Sequence, residues 1–408
     1  MNKRLVIVFL LGFSSGLPLS LVTTTLQAWF AVSGMSILAT GMLSLVGIPY
    51  LYRVLWGPLL DRYALSSLGR RRSWMLLTQV VLLAGFNVLA WLNPMQSPHL
   101  MAFIAILLAC FSATQDVSID AQRTEYLPTR DHGLGASLAV FGYRLGLLVA
   151  GGMALVLANS LGWAMTYRLM GGFMLVGIFA TLVSEEPPAP TQESLSLVGS
   201  FLAPIKELWS RPYFIALIAF ILFYKLGEAF TATTSGIVMP FLIHGLGFSL
   251  DTIGYVNKML GISAILLGGL FAGFILMKGS LYRALLIFGL MQASTNILFV
   301  LLAMTGKNLI LLAIAVASDN FVAGMGSTAL VALFMRLVNK QFTATQFSIL
   351  VAIASIPRIF SGPVAALVQM KIGWVGLYQL SFVLALGFLP FLMKMREPIN
   401  AIKVDEEP

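Results

Sequence analysis

The stretch FSATQDVSIDAQR, residues 111–123, follows the apolar run MAFIAILLAC and carries Asp116 and Asp120 four residues apart. On a helix that spacing puts both carboxylates on one face. Burying them in an apolar medium is costly unless water, a proton or a cation compensates. Asp116, one turn deeper, reads as a proton carrier. Asp120 lies nearer the polar end and reads either as part of a gate or as a lock on the helix end. A third acid, Asp319, stands about a dozen residues into another apolar run, near mid-bilayer at about 1.5 Å of rise per residue. It is the second candidate for proton exchange.

Six bases also fall inside apolar runs: Arg53, Arg144, Arg168, Lys225, Lys258 and Arg358. Arginine does not release its proton in practice, so Arg144 and Arg358 are anchors or ion-pair partners. Lys225 and Glu228 are three residues apart and either neutralise each other or contact a ligand together. Arg168 reads as snorkelling to a nearby membrane face. Arg53, Arg144, Lys225, Lys258 and Arg358, with Glu228, are candidate contacts for an anionic substrate. Trp29 either joins Trp163 and Trp374 in an interfacial belt or stacks on a sugar ring.

The elements that must position these residues are membrane spans. Of 408 residues, 59% are hydrophobic and 10% charged, against about 25% charged in soluble domains. Mean hydropathy is +0.92. The sequence lacks CxxC, HExxH and GxxxxGK[ST] motifs, its three histidines are scattered, and Cys110 is its one cysteine. No metal, cofactor or enzymatic constellation is expected. The net charge of +9 reads as membrane topology rather than nucleic-acid binding. The basic head and apolar core of MNKRLVIVFLLGFSSGLPL resemble a signal peptide, but with many spans following they read as an uncleaved first span.

At about 20 apolar residues per span, the sequence predicts twelve: 5–30, 39–60, 73–93, 99–121, 133–158, 162–183, 213–242, 252–277, 281–304, 308–335, 343–369 and 373–394. Residues 184–212 read as a cytoplasmic linker with a short interfacial helix near 196–209. The expected domains are an N-terminal six-helix bundle (1–183), that linker, a C-terminal six-helix bundle (213–394) and a cytoplasmic tail (395–408). Loops on the side of the termini hold seventeen lysines and arginines, and the opposite loops two, Lys307 and Lys371. Both termini are therefore expected in the cytoplasm.

The two halves carry traces of a repeat. LGWAMTYRL (161–169) and IGWVGLYQL (372–380) match at an offset of 211. At that offset GFSSGLPLSLVTTTLQAWF (12–30) faces FYKLGEAFTATTSGIVMPF (223–241). ATQD (113–116) and VASD (316–319) match at an offset of 203. Two six-span halves joined by a cytoplasmic linker resemble the major facilitator superfamily, a fold of twelve transmembrane helices in two pseudo-symmetric bundles. The resemblance implies a substrate site between the halves and alternating access. It also makes spans 3, 6, 9 and 12 outer supports, which leaves every buried charge except Arg168 on the helices around the cavity.

The loop GPLLDRYALSSLGRRR (57–72) resembles the signature of that superfamily, with YALSSL inserted between Asp-Arg and Gly-Arg-Arg. The resemblance implies a cytoplasmic latch in which Asp61 pairs with neighbouring helices, while Arg70 and Arg71 meet acids at the end of span four. The matching loop of the second half, GGLFAGFILMKGSLYR (268–283), is degenerate. LGFSSGLPLSLVTTTLQAWF, LWGPLLDRY, GRRRSWMLLTQ, SATQDVSIDAQRTEYLP and GASLAVFGYRLGLLVAGG are similar to AmpG-type muropeptide permeases. That similarity implies proton-driven import of anhydromuropeptides across a bacterial inner membrane, feeding cell-wall recycling and, in some bacteria, β-lactamase induction. The expected partners are this small-molecule substrate, protons and the lipid bilayer, and the expected state is a monomer. The alternative is a transporter of another organic anion, such as a nucleotide-linked acyl compound.

Overall fold

The computed structural model describes residues 3–35, 43–188, 197–231, 237–249, 252–253 and 255–401. Among them no strand occurs, as apolar runs with no water to satisfy the backbone demand. Among the described residues, eight helical stretches are long and apolar enough to cross a membrane: Lys3–Val32, Arg70–Leu89, Pro98–Tyr126, Thr129–Leu161, Trp163–Val183, Leu281–Thr305, Leu309–Leu337 and Val364–Lys394. A ninth candidate joins Gly199–Trp209 to Phe214–Ala229 across a bend of 87°. Its first arm lies within the helix Leu197–Trp209, where the sequence predicts an interfacial segment.

The other expected spans are interrupted, and the interruptions follow the residue types. The run expected at 39–60, of which 39–42 lie outside the described residues, is broken into short helices, of which Ile48–Leu51 and Gly57–Arg62 each carry a proline at their second residue, a residue that cannot continue a helix entering from its N-terminal side. The run at 252–277 starts as a π-helix at Tyr255–Gly261 and continues as Ile262–Lys278. The runs at 343–369 and 373–394 are separated by Gly373 at φ +70° inside the stretch Thr343–Ala385, a left-handed backbone conformation that glycine adopts freely.

The chain divides into two compact units. The first comprises Met1–Pro128, Leu138–Ile205 and Val338–Ile349, and the second Thr129–Ser137, Lys206–Leu337 and Leu350–Pro408. In the first unit the helix Lys3–Val22 packs against His132–Leu148 through glycines. A Cβ on Gly16 would lie 2.0 Å from the Tyr143 carbonyl oxygen, and one on Gly146 2.4 Å from that of Phe13. In the second unit Ile262–Lys278 meets Leu309–Leu337 the same way, with Gly268 against Phe321 and Gly324 against Ile265. Small residues let membrane helices approach backbone to backbone. The apolar core of the first unit gathers Leu21, Leu26, Phe86, Met101 and Tyr167. That of the second gathers Phe241, Phe299, Leu312, Leu377 and Tyr378.

Candidate functional site

Asp116 is buried on Pro98–Tyr126, where its Oδ1 accepts a hydrogen bond from the Ser15 hydroxyl of Lys3–Val22. Its neighbours are polar too. Gln115 Nε2 donates to the Ser14 carbonyl at 3.0 Å, and Tyr50 donates its hydroxyl to Ser112 at 2.7 Å. Arg53 lies near enough to act on Asp116 through space, but no cation among the described residues makes an ion pair with it. The Ser14 hydroxyl, Gln115 Oε1 and Gln79 Nε2 are buried with no hydrogen-bond partner. Ser14 and Gln115 adjoin Ser15 and Asp116 in sequence, and the Ser14 hydroxyl and Gln79 Nε2 gather against Gly177.

Asp319 has different surroundings. Its Oδ1 accepts from Thr231 Oγ1 at 2.9 Å, Gln292 Nε2 at 2.8 Å and Thr295 Oγ1 at 2.9 Å. The lattice extends through Asn296, which donates to the Gly227 carbonyl at 2.9 Å and accepts from Ser381 at 2.6 Å. Gln292, Thr295 and Asn296 all stand on Leu281–Thr305, the helix at the expected ninth span. Asp319 is thus tied to a supporting helix.

The loop after Gly57–Arg62 builds the densest charge cluster. Arg71 is 1% exposed and spans two acids, with Nη2 at 2.8 Å from Asp61 Oδ1 and Nε at 3.0 Å from Glu125 Oε2. Arg70 reaches Glu125 at 3.1 Å and the Asp61 carbonyl at 2.8 Å. Asp61 in turn accepts from Ala344 N at 3.0 Å, Thr345 N at 2.9 Å and Thr345 Oγ1 at 2.7 Å. Its carboxylate thereby caps the helix that begins at Thr343, where free N–H groups favour an anion. The helix Arg70–Leu89 is capped likewise, with Glu186 accepting from Arg71 N at 2.7 Å and Arg72 N at 3.0 Å. Gly69 stands at φ +99° with the Glu186 side chain where a Cβ would go, so only glycine fits there. The inserted YALSSL loops aside, held by Trp74 Nε1 on the Tyr63 carbonyl at 2.8 Å and by Leu65 N on Ser73 at 3.1 Å.

The remaining candidates disperse. Asp120 pairs with Arg123 of its own helix at 2.9 Å. Glu125, which charge placement alone did not single out, takes the role at the basic loop that Asp120 was expected to share. Lys225 and Glu228 are hydrogen-bonded to each other, the mutual neutralisation that their spacing allows. Trp29 is buried, stacked on Trp163 at 5.7 Å and tilted against Tyr167 at 5.0 Å. With one face taken by Trp163, it packs the first unit instead of offering that face to a sugar. Arg53 and Arg144 are half-buried in the first unit, and Arg358 is exposed in the second. The Lys258 side chain lies outside the described part. Sequence reasoning missed Ser15, Glu186, Thr231, Gln292, Thr295 and Thr345. Most carry no charge, and a search for charge in apolar runs passes over them.

The family model of the Major Facilitator Superfamily matches residues 4–362. The chain is 40% identical over 406 residues to the anhydromuropeptide permease of Escherichia coli (strain K12), covering 99% of this chain and 82% of that protein. It is 31% identical to the putative transporter AmpG 4 of Rickettsia conorii, covering 98% of each. Among solved structures, the transporter FucP in its outward conformation superposes with a TM-score of 0.73 at 12% identity, covering 98% of this chain and 100% of that one. That likeness is one of fold, an all-α fold of twelve helices where membrane-spanning transporters are concerned. The chain belongs to the Major Facilitator Superfamily, among its AmpG-type permeases, and is a multi-pass membrane transporter rather than an enzyme.

Proposed function

We propose that this chain is a proton-coupled symporter that carries anhydromuropeptides from periplasm to cytoplasm across a bacterial inner membrane. The similarity over 99% of the chain to a permease named for that substrate supports the substrate. The observation that carries the coupling is Asp116, a buried carboxyl with one hydroxyl partner and no ion pair among the described residues. An unpaired carboxylate in a dry site is unfavourable, and a proton removes that cost. Water reaching the site from one side and then the other would let the two access states load and release the proton. Asp319 is the secondary candidate.

Arg53, Arg144, Lys258 and Arg358 are the proposed contacts for peptide carboxylates. Asp61, Arg70 and Arg71 form the proposed gate, with Glu125 as their counter-charge. The seventeen-to-two bias of basic residues supports cytoplasmic termini. The bundles proposed at 1–183 and 213–394 are the two moving parts. Proteoliposomes given an inward proton gradient test the reading. Accumulation of labelled GlcNAc-anhydromuramyl tripeptide, competed by the unlabelled compound, is the expected result. Flux of the tripeptide that ignores the gradient would remove the coupling, and absence of any flux would remove the substrate.

A further inference from the structure

The helices Pro98–Tyr126 and Leu309–Leu337 are both 29 residues long and begin 211 residues apart, the offset of the sequence repeat. In that register Arg336 stands where the first unit has Glu125. At the same offset the preceding loop GPLLDR (57–62) faces GGLFAG (268–273), so Ala272 stands where the first unit has Asp61. Both acids that neutralise the first loop are thus replaced, one by a neutral residue and one by a cation.

In place of the charge cluster, the second unit holds a cavity of about 320 Å³ lined by Arg130, Met277, Lys278, Ser280, Arg336 and Asn400 among others. Three cations border it and, among the described residues, no acid does. Asp131 and Glu397, the acids nearest in sequence, are not among its walls. Arg130, Lys278 and Arg336 make no ion pair among the described residues, and Arg336 Nε is buried without a hydrogen-bond partner. The helix Leu281–Thr305 begins at the same wall, and the Ser280 side chain does not cap it. Its first N–H groups add to the positive potential. Two guanidiniums and an ammonium around a recess of this size match a tetrahedral oxyanion with several acceptor oxygens.

We propose that this cavity binds a phosphate group, and that the bound anion takes the structural place that Asp61 and Glu125 hold in the first unit. The group belongs either to the headgroup of an anionic phospholipid or to a soluble phosphate compound. Met277, exposed beside the cavity, gives a lipid an apolar flank, and basic recesses between helices on the cytoplasmic side suit such headgroups. The proposal does not depend on the transported substrate.

The test is the thermal unfolding midpoint of the purified full-length protein. It is followed against inorganic phosphate in detergent, with chloride at matched ionic strength as control. It is then followed in phosphatidylcholine nanodiscs with and without phosphatidylglycerol. A rise with phosphatidylglycerol alone assigns a lipid headgroup, and a rise with inorganic phosphate assigns a soluble compound. Arg336→Gln is expected to weaken the response about tenfold, the loss of one charge-assisted hydrogen bond. Arg130→Gln with Lys278→Gln alters two exposed side chains and keeps the test decisive should Arg336→Gln misfold. No anion-dependent rise above the chloride control, or an unchanged rise in the double variant, would overturn the proposal.

Discussion

Asp116 and Asp319 are both buried acids on 29-residue helices, yet they are not counterparts. Asp116 lies eight positions further along its helix, about 12 Å at the rise of an α-helix. Asp116 has one hydroxyl partner and, among the described residues, no ion pair. Asp319 has three donors on one oxygen and a lattice running into Leu281–Thr305. Depth and burial alone rank Asp319 first for proton exchange, and partner count reverses that order. A carboxyl whose surroundings are already satisfied resists change, while one with a single partner leaves room for a proton, water or a moving helix.

The contrast is most exposed to test by neutralising each acid in turn. Asp116→Asn is expected to abolish uphill uptake while the protein remains in the membrane at its normal level. Asp319→Asn keeps an oxygen for the three donors and should hold uptake within a few-fold of the parent. Equal losses in both, measured as accumulation ratios in vesicles, would erase the distinction. Next in size is Arg71→Ala, which removes the buried guanidinium bridging Asp61 and Glu125 and leaves Glu125 to Arg70 and Asp61 to its helix cap. Removing one partner of such a cluster costs about 3–5 kcal/mol. A lowered unfolding midpoint checks it, with Arg71→Lys recovering part of the loss because an ammonium lacks the fork that holds both acids.

Asp319→Ala sharpens the comparison from the structural side. It removes the acceptor that Thr231, Gln292 and Thr295 share; the two threonines keep the Glu228 and Gln292 carbonyls, and a buried donor left unsatisfied costs about 1–3 kcal/mol. Asp319→Ala should therefore melt well below Asp319→Asn, whereas Asp116→Ala should differ little from Asp116→Asn. The smallest effects concern the glycine contacts. Gly16→Ala drives a methyl into the Tyr143 carbonyl and should cost about 1–3 kcal/mol. Gly172 has nothing within 4 Å of a built Cβ, so Gly172→Ala should stay within about 0.5 kcal/mol of the parent. Equal melting of the two variants would show that the Lys3–Val22 crossing tolerates expansion.

Much of the fold was legible because hydrophobic length is a coarse and strong signal. Helices such as Pro98–Tyr126 and Leu309–Leu337 fall where apolar runs of sufficient length occur. The interruptions were less legible. Pro49 and Pro58 break the second run into short turns, but a hydropathy window averages over them. The latch loop was readable from Asp61, Arg70 and Arg71, yet its completion by Glu125, Glu186 and Thr345 depends on contacts across 54 to 284 residues. No local pattern specifies those. The lattice around Asp319 is built from threonine, glutamine and asparagine, whose side chains also occur in apolar helices merely bonded to their own turn. Lys225 with Glu228 shows the opposite case, where spacing alone named the partner.

The most direct measurement of the central claim is uptake of labelled GlcNAc-anhydromuramyl tripeptide by cells lacking their own permease. The cells express either this chain or its Asp116→Asn variant, with and without a protonophore. The account predicts accumulation by the parent chain that collapses with the protonophore, and no accumulation by the variant under either condition. Accumulation by the variant that equals the parent's and still collapses with the protonophore would contradict it, because the proton would then be carried elsewhere.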